Sequence, residues 1–188
     1  NPIARIKTFD QDNKVNRVIN TTFAEWKIIP GLRYKVNLGV DYIQNNGFSF
    51  TPSYNRGRSS NPTAVYSQYQ NVRTDYLIEN TLTYEKKFGQ MHDLTLLVGQ
   101  SGQEWTYRWL SGNASDFVSN ELRNLQDGVF RNASGSQVTQ SIASYFARAN
   151  YKWLNKYILT GTIRRGGSSN FGPNNKIGAF PSASLAWK

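Results

Sequence analysis

The sequence predicts an all-β chain: antiparallel up-and-down strands forming an arc of a large transmembrane β-barrel. Three observations carry that prediction. Apolar and polar residues alternate with period two over runs of about ten residues. The connections between these runs alternate strictly between short and long. Seven runs can be counted, too few to close a barrel in one bacterial chain, which takes at least eight strands and usually an even number.

The first run carries Val18, Thr22, Ala24, Trp26 and Ile28 on one face, and Pro30-Gly31 supplies a tight turn. The second is the clearest. Leu32, Tyr34, Val36, Leu38, Val40 and Tyr42 alternate with Arg33, Lys35, Asn37, Gly39 and Asp41. In the third, Tyr76, Ile78, Leu82, Tyr84 and Phe88 alternate with Asp75, Glu79, Thr81, Thr83, Glu85 and Lys87, ending at Gly89-Gln90-Met91. The fourth carries Leu94, Leu96 and Val98. Its phase then changes, with Trp105, Tyr107 and Trp109 on odd positions, which marks Gly99 or Gly102 as a candidate bulge. A third hairpin joins Ala143, Tyr145, Ala147, Ala149, Tyr151 and Trp153 to Tyr157, Leu159, Gly161 and Ile163 through Leu154-Asn155-Lys156. The seventh run begins near Ala179 and holds Ala183, Leu185 and Trp187.

The links at 44–73 and 111–140 are far longer than the ~4–6 residues usual in compact domains and rich in Asn, Ser, Gly, Gln and Arg, so they read as loops. A third link at 164–178 is intermediate. Outer-membrane barrels have this asymmetry: short periplasmic turns, long external loops, an apolar face toward lipid and a polar lumen. Trp26, Tyr42, Tyr84, Phe88, Tyr151, Trp153, Tyr157 and Trp187 sit near run ends, as interfacial aromatic girdles do.

Composition narrows the classes. The 188 residues have a net charge of +10, with 14% aromatics and no Cys. Mean hydropathy is −0.58, and no apolar run approaches the ~18 residues of a helical span. A polar lumen face accounts for that low value in a membrane chain. A disulfide framework, a Cys zinc site and a thiol nucleophile are excluded. The chain starts Asn1-Pro2-Ile3 and stops at Ala186-Trp187-Lys188 within a run, so it reads as a piece of a longer protein.

Several stretches together resemble the barrel region of SusC/RagA-type TonB-dependent outer-membrane transporters. They are Glu79-Asn80-Thr81-Leu82-Thr83-Tyr84 with Phe88-Gly89 and His92-Asp93-Leu94, and Ser144-Tyr145-Phe146-Ala147-Arg148-Ala149-Asn150-Tyr151 with Lys156-Tyr157. Most specific is Arg164-Arg165-Gly166-Gly167-Ser168-Ser169-Asn170-Phe171-Gly172, leading into Phe180-Pro181-Ser182-Ala183-Ser184-Leu185-Ala186-Trp187. Trp26, Gly31-Leu32 and Asp41-Tyr42 also fall where the family places similar residues. Gly166 stands where the family usually has Asp, and Asn170 where it has a basic residue. The resemblance implies a 22-stranded barrel with a plug outside this stretch, in the cell outer membrane of a Gram-negative, Bacteroidetes-type bacterium. It implies import of oligosaccharides, other glycans or peptides, driven through the TonB complex, with a SusD-like surface lipoprotein as lid.

No catalytic signature is present: no G-x-S-x-G elbow, P-loop or dinucleotide fingerprint, and no metal-ligand spacing around His92, the single His, which reads as a turn or surface residue. The expectation is a non-enzyme without cofactor, metal or nucleic-acid partner. Basic residues are scattered rather than striped, and those near the membrane surface suit the phosphates of outer-leaflet lipopolysaccharide. Candidate substrate or lid contacts are Phe48, Tyr54, Arg56, Arg58, Tyr66 and Tyr69. Their rings would cover the apolar face of a sugar while Arg groups hold its hydroxyls. The competing reading is a soluble or secreted all-β carbohydrate-binding module. It would use the same apolar rows as a core.

Overall fold

The computed structural model describes residues 9–172 and 177–188. The strands are β1 (Asp10–Ile29), β2 (Leu32–Thr51), β3 (Tyr54–Asn55), β4 (Ser60–Asn61), β5 (Val65–Phe88), β6 (His92–Phe117), β7 (Gly128–Trp153), β8 (Tyr157–Ser168) and β9 (Ile177–Trp187). A 3-10 turn, η1, covers Leu125–Asp127. Seven strands form one sheet in the order β1-β2-β5-β6-β7-β8-β9, and β3 pairs with β4 apart from it. Each neighbour in the large sheet is its neighbour in sequence, so the expected up-and-down meander of seven antiparallel strands is what forms.

The strands are longer than the hydrophobic pattern indicates. The links read as 44–73 and 111–140 shrink to 52–64 and 118–127, because β2, β5, β6 and β7 run on past the last alternating apolar residue. Those extensions pair through polar side chains instead. Ser67 Oγ donates to Asn113 Oδ1 at 2.7 Å, Asn113 Nδ2 to Asn132 Oδ1 at 3.2 Å, and the Ser111 and Ser134 hydroxyls lie 3.0 Å apart. The 164–178 link also shortens, since β8 reaches Ser168 and β9 starts at Ile177; residues 173–176 lie outside the described residues.

The expected bulge in β6 is absent. Ser101 faces Ser144, with hydroxyls 2.8 Å apart. Ten residues farther along each strand, Ser111 faces Ser134, so no residue has been inserted. Gly99 has another cause. A Cβ there would lie 2.4 Å from the Phe146 ring, so the glycine makes room for a ring lying over β6. Trp105, Tyr107 and Trp109 are therefore on the face of Gly99 and Ser101, opposite that of Leu94, Leu96 and Val98.

The contacts divide the chain into two compact units. The second comprises Ile19–Asp41, Asp75–Trp105 and Thr139–Lys188. It is a two-faced sheet. The register pairs Ala143 with Gly167, Tyr145 with Arg165, Ala147 with Ile163, Tyr151 with Leu159 and Trp153 with Tyr157. Tyr157 then pairs with Trp187, Leu159 with Leu185 and Ile163 with Pro181, which completes one apolar face. The opposite face is polar. Arg164 Nη2 donates to Ser144 Oγ at 2.9 Å, Thr160 Oγ1 to Asn150 Oδ1 at 2.8 Å, and Asn37 Nδ2 to Glu79 Oε1 at 3.1 Å, while Arg33 and Glu85 form an ion pair.

Aromatic rings cluster at the tight-turn end of this unit. Trp153 and Tyr157 stack with centroids 5.6 Å apart, and Lys156 Nζ lies over both Tyr157 and Trp187. Trp26 stacks on Tyr34, and His92 Nδ1 shares a hydrogen bond with the Tyr151 hydroxyl. Asn80 is a polar residue on the apolar face; Tyr34 satisfies it by donating to its Oδ1 at 2.7 Å.

Candidate functional site

The first unit comprises Asn1–Val18, Tyr42–Thr74 and Thr106–Val138, and it contains all six candidate contact residues. It is organised around a small aromatic core. Phe50, Ala64 and Tyr66 are buried, with Phe48, Phe117 and Leu125 packed against them. Phe48 stacks on Tyr66 at 5.8 Å, and Phe117 meets Phe50 edge-on at 5.6 Å, the two arrangements that aromatic quadrupoles favour.

Polar clamps lock the segments around that core. Asn120 accepts from the Ser53 N–H at 3.0 Å and donates back to the Ser53 carbonyl at 2.9 Å, so its amide imitates a strand neighbour across 67 residues of chain. Arg123 caps the Phe50 ring, with its guanidinium carbon 5.2 Å from the centroid, and pairs with Asp10 at 2.7 Å. The Arg123–Asp10 pair is partly exposed, so its own contribution is small, on the order of 1 kcal/mol or less. Its geometric effect is to tie β1 to the segment before η1. Asn61 Nδ2 donates to the Pro52 carbonyl at 2.8 Å and holds the β3–β4 hairpin down.

The six candidates fall into three settings. Phe48 and Tyr66 are inside the aromatic core. Tyr69 donates to Asn13 Oδ1 at 2.9 Å. Tyr54, Arg56 and Arg58 are on or beside the small β3–β4 hairpin, where the Arg56 guanidinium lies 4.9 Å from the Tyr54 ring centroid; Arg56 and Arg58 are exposed. The architecture thus brings Tyr54, half-buried, and Arg56, exposed, together as a ring-and-cation pair. Asn120, Arg123, Asp10 and Phe117 were not identifiable from sequence as the residues that hold this arrangement. The available signal was the apolar residues scattered through the polar 111–140 link, Phe117 and Leu125 among them.

Burial raises the Tyr66 phenol above its ordinary value near 10, and the Asp10 carboxylate adds to the effect. The neutral phenol is the form the packing accommodates. Its stabilisation is therefore complete below pH 10 and is lost as pH rises through the higher folded value. In a spectrophotometric titration of tyrosinate formation, Tyr66→Phe is expected to remove a component that titrates above the ordinary tyrosine range. Removal of an ordinary component instead would show the ring to be solvated.

Among the described residues no three His, Asp or Glu side chains converge as a metal site would require. The arrangement is a packed aromatic core with a half-buried Tyr54 and an exposed Arg56 on the small hairpin beside it.

No family model matches the sequence. The chain is 35% identical over 190 aligned residues to TonB-dependent receptor P3 of Formosa agariphila, covering all of this chain and 19% of that protein. It is 26% identical over 195 aligned residues to TonB-dependent receptor SusC of Bacteroides thetaiotaomicron, again across the whole chain and 18% of the relative. The chain thus spans about a fifth of the length of these curated relatives. Its fold matches a chain of the RagAB peptide transporter with a TM-score of 0.88 at 24% identity, over 95% of this chain and 20% of that one. The 'open-open' state of the RagAB peptide importer gives 0.90 over 96% of this chain. The whole chain is thus similar to a stretch of TonB-dependent receptors, SusC among them, and shares its meander of strands with the matched RagAB chain.

Proposed function

We propose that this chain forms part of the wall and external loops of an outer-membrane nutrient importer, without itself performing chemistry. One observation carries the reading. All four buried apolar residues belong to the first unit, and in the second the one buried residue among those described is a serine, Ser144. A soluble β domain buries its apolar face, whereas here Leu38, Val40, Tyr76, Ile78, Leu159, Leu185 and Trp187 all stand exposed. Hydrocarbon is the solvent that makes such a face stable, and the polar face with Arg33, Asn37, Glu79 and Arg164 then borders a wet lumen.

On this reading the tight turns face the periplasm and the long links are external loops. The cargo is an oligosaccharide or peptide, too large for simple pores. The peptide alternative is the cargo named for the RagAB peptide transporter, and the oligosaccharide alternative is what the resemblance to SusC/RagA-type transporters implies. On this reading Tyr54, Arg56 and Arg58 touch cargo or a SusD-like surface lipoprotein acting as lid. Energy coupling through TonB belongs to the plug, in a region this stretch does not cover.

The test uses the full-length receptor in its own cells. It should fractionate with the outer membrane and shift mobility on heating in detergent, as folded barrels do. Its deletion should abolish growth on either an oligosaccharide pool or a peptide pool. Cooperative unfolding of the 188 residues as a monomer in detergent-free buffer would establish the carbohydrate-binding-module reading instead.

A further inference from the structure

We infer that the face of the first unit carrying Ser67, Tyr69, Trp109 and Asn113 binds an uncharged oligosaccharide. The inference rests on the importer reading above and gives its cargo a class and a seat. Both long links fold onto the other face. Ala64 from the first link and Leu125 from the second pack with Phe48, Phe50 and Tyr66, which occupy even positions of β2 and β5. A Cβ at Gly112, an even position of β6, would fall 2.9 Å from the Leu125 side chain. The odd positions of β5 and β6 therefore point away from the packed links.

This second face is polar but uncharged. Ser67 on β5, Asn113 on β6 and Asn132 on β7 are hydrogen-bonded in a row, and Ser111 faces Ser134 in the next. Over residues 67–71, 109–113 and 132–136 every side chain on this face belongs to Ser, Asn, Tyr or Trp. Amides and hydroxyls both donate and accept, as each hydroxyl of a sugar does. A peptide has less to gain here. Its charged ends meet no counter-charge, and its backbone finds no open edge, because β5, β6 and β7 are each paired on both sides.

Tyr69 supplies a platform. Its hydroxyl donates to Asn13 Oδ1 on β1, although β2 lies between β5 and β1. The ring reaches that far by lying across β2 at Gly47, where a Cβ would fall 2.9 Å from the hydroxyl and 3.1 Å from Cζ. Glycine weakens a strand interior, and here it clears the path of the ring. A ring held down along the sheet turns its π face outward, the orientation that covers the apolar face of a pyranose. Tyr107 and Trp109 add two further rings on β6, about 7 Å apart along the strand, and Tyr107 is 37% exposed. Rings set among amides and hydroxyls, without fixed charge, are the complement of a neutral sugar chain.

The experiment takes the full-length receptor, purified from the outer membrane in mild detergent, and measures binding by isothermal titration calorimetry. The probes are neutral hexasaccharides of glucose, mannose, galactose and xylose, hexamers of galacturonic and mannuronic acid, and a mixed hexapeptide pool. A neutral hexasaccharide is expected to bind most tightly. Trp109→Ala and Tyr69→Ala should each weaken it about tenfold, the worth of one ring stacked on the ligand. Trp109→Phe should retain most of the affinity, and Arg108→Ala, one residue away on the opposite face, should leave it unchanged. Hydroxyl-radical footprinting of the unaltered receptor decides the matter even if a variant does not fold. The neutral probe should cut oxidation of Tyr107 and Trp109 severalfold and leave Leu110, on the other face, as it was. Tighter binding of a uronate or of the peptide pool, binding of no neutral probe, or equal oxidation of the rings with and without it overturns the site. A receptor that sorts to the outer membrane and gives one of those results refutes this site alone; one found outside the outer membrane refutes the importer reading on which it rests.

Discussion

Val36→Lys is expected to cost the folded receptor roughly 2–4 kcal/mol in a bilayer, whereas Asn37→Lys, one residue along, should change stability by less than about 0.5 kcal/mol. Val36 shares its face with Leu32, Tyr34, Leu38 and Val40 on β2. Five residues separate it from Gly31 in the turn, about 17 Å of strand, or about 12–14 Å of height at the usual tilt. That places its side chain near the middle of the apolar band, where an ammonium has neither water nor a partner and cannot reach a headgroup without distorting the strand. Asn37 points the other way and donates to Glu79 Oε1 at 3.1 Å, so a lysine there exchanges a neutral contact for an ion pair in a wet lumen. The two variants differ by one position, leave length and net charge equal, and separate faces rather than residues. Urea unfolding of the receptor in phospholipid vesicles measures both. Equal costs would mean that the Val36 face does not meet hydrocarbon.

The same face explains which parts of the fold can be read in the sequence. On the outer-membrane reading, hydrocarbon on one side of the second unit and water on the other force period two, so Leu32–Tyr42 and Ala143–Trp153 announce themselves. On the same reading the strands of the first unit meet water on both faces, and the requirement disappears. Ser67, Asn113 and Asn132 then pair side chain to side chain, and a strand built from Asn, Ser and Gln is indistinguishable from a loop by periodicity. The change of phase in β6 has the same origin. Its register is unbroken; on this reading rings beyond the hydrocarbon take the face of Gly99 and Ser101, so Trp105, Tyr107 and Trp109 fall on odd positions while Glu104 and Arg108 take even ones. A change of preferred face looked like an inserted residue. For the candidate site, sequence supplied the right inventory of aromatics but not its sorting. Whether Phe48 and Tyr66 pack or face outward is decided by Phe117 and Leu125, which arrive from a link more than fifty residues away.

Gly31→Ala is expected to destabilise the receptor by roughly 2–4 kcal/mol, and Gly89→Ala by about 1–2 kcal/mol, although both glycines sit in tight turns at the same end of the sheet. Gly31 has φ +84° and Gly89 φ +63°, both in the left-handed region where an L side chain is strained. That shared strain sets the common part of the cost. The rest is specific to Gly31. An added Cβ there would fall 2.3 Å from the Glu85 carbonyl oxygen, while at Gly89 nothing lies within 4 Å. The obstructing atom is backbone and is held where it is, because the Glu85 N–H donates to the Gly31 carbonyl at 2.7 Å. Relief requires moving β5 away from the β1–β2 turn, which stretches that bond and disturbs the Arg33–Glu85 pair beside it. Pro30 suits this turn, since its ring holds φ near −65°, the value that precedes a positive-φ residue in a type II turn. The two variants, compared by urea midpoint in vesicles and by heat-modifiable mobility, separate backbone strain from close approach. Equal losses would show that β5 is free to yield at Glu85, and that the turn, rather than the packing of one strand against the next, makes the glycine necessary.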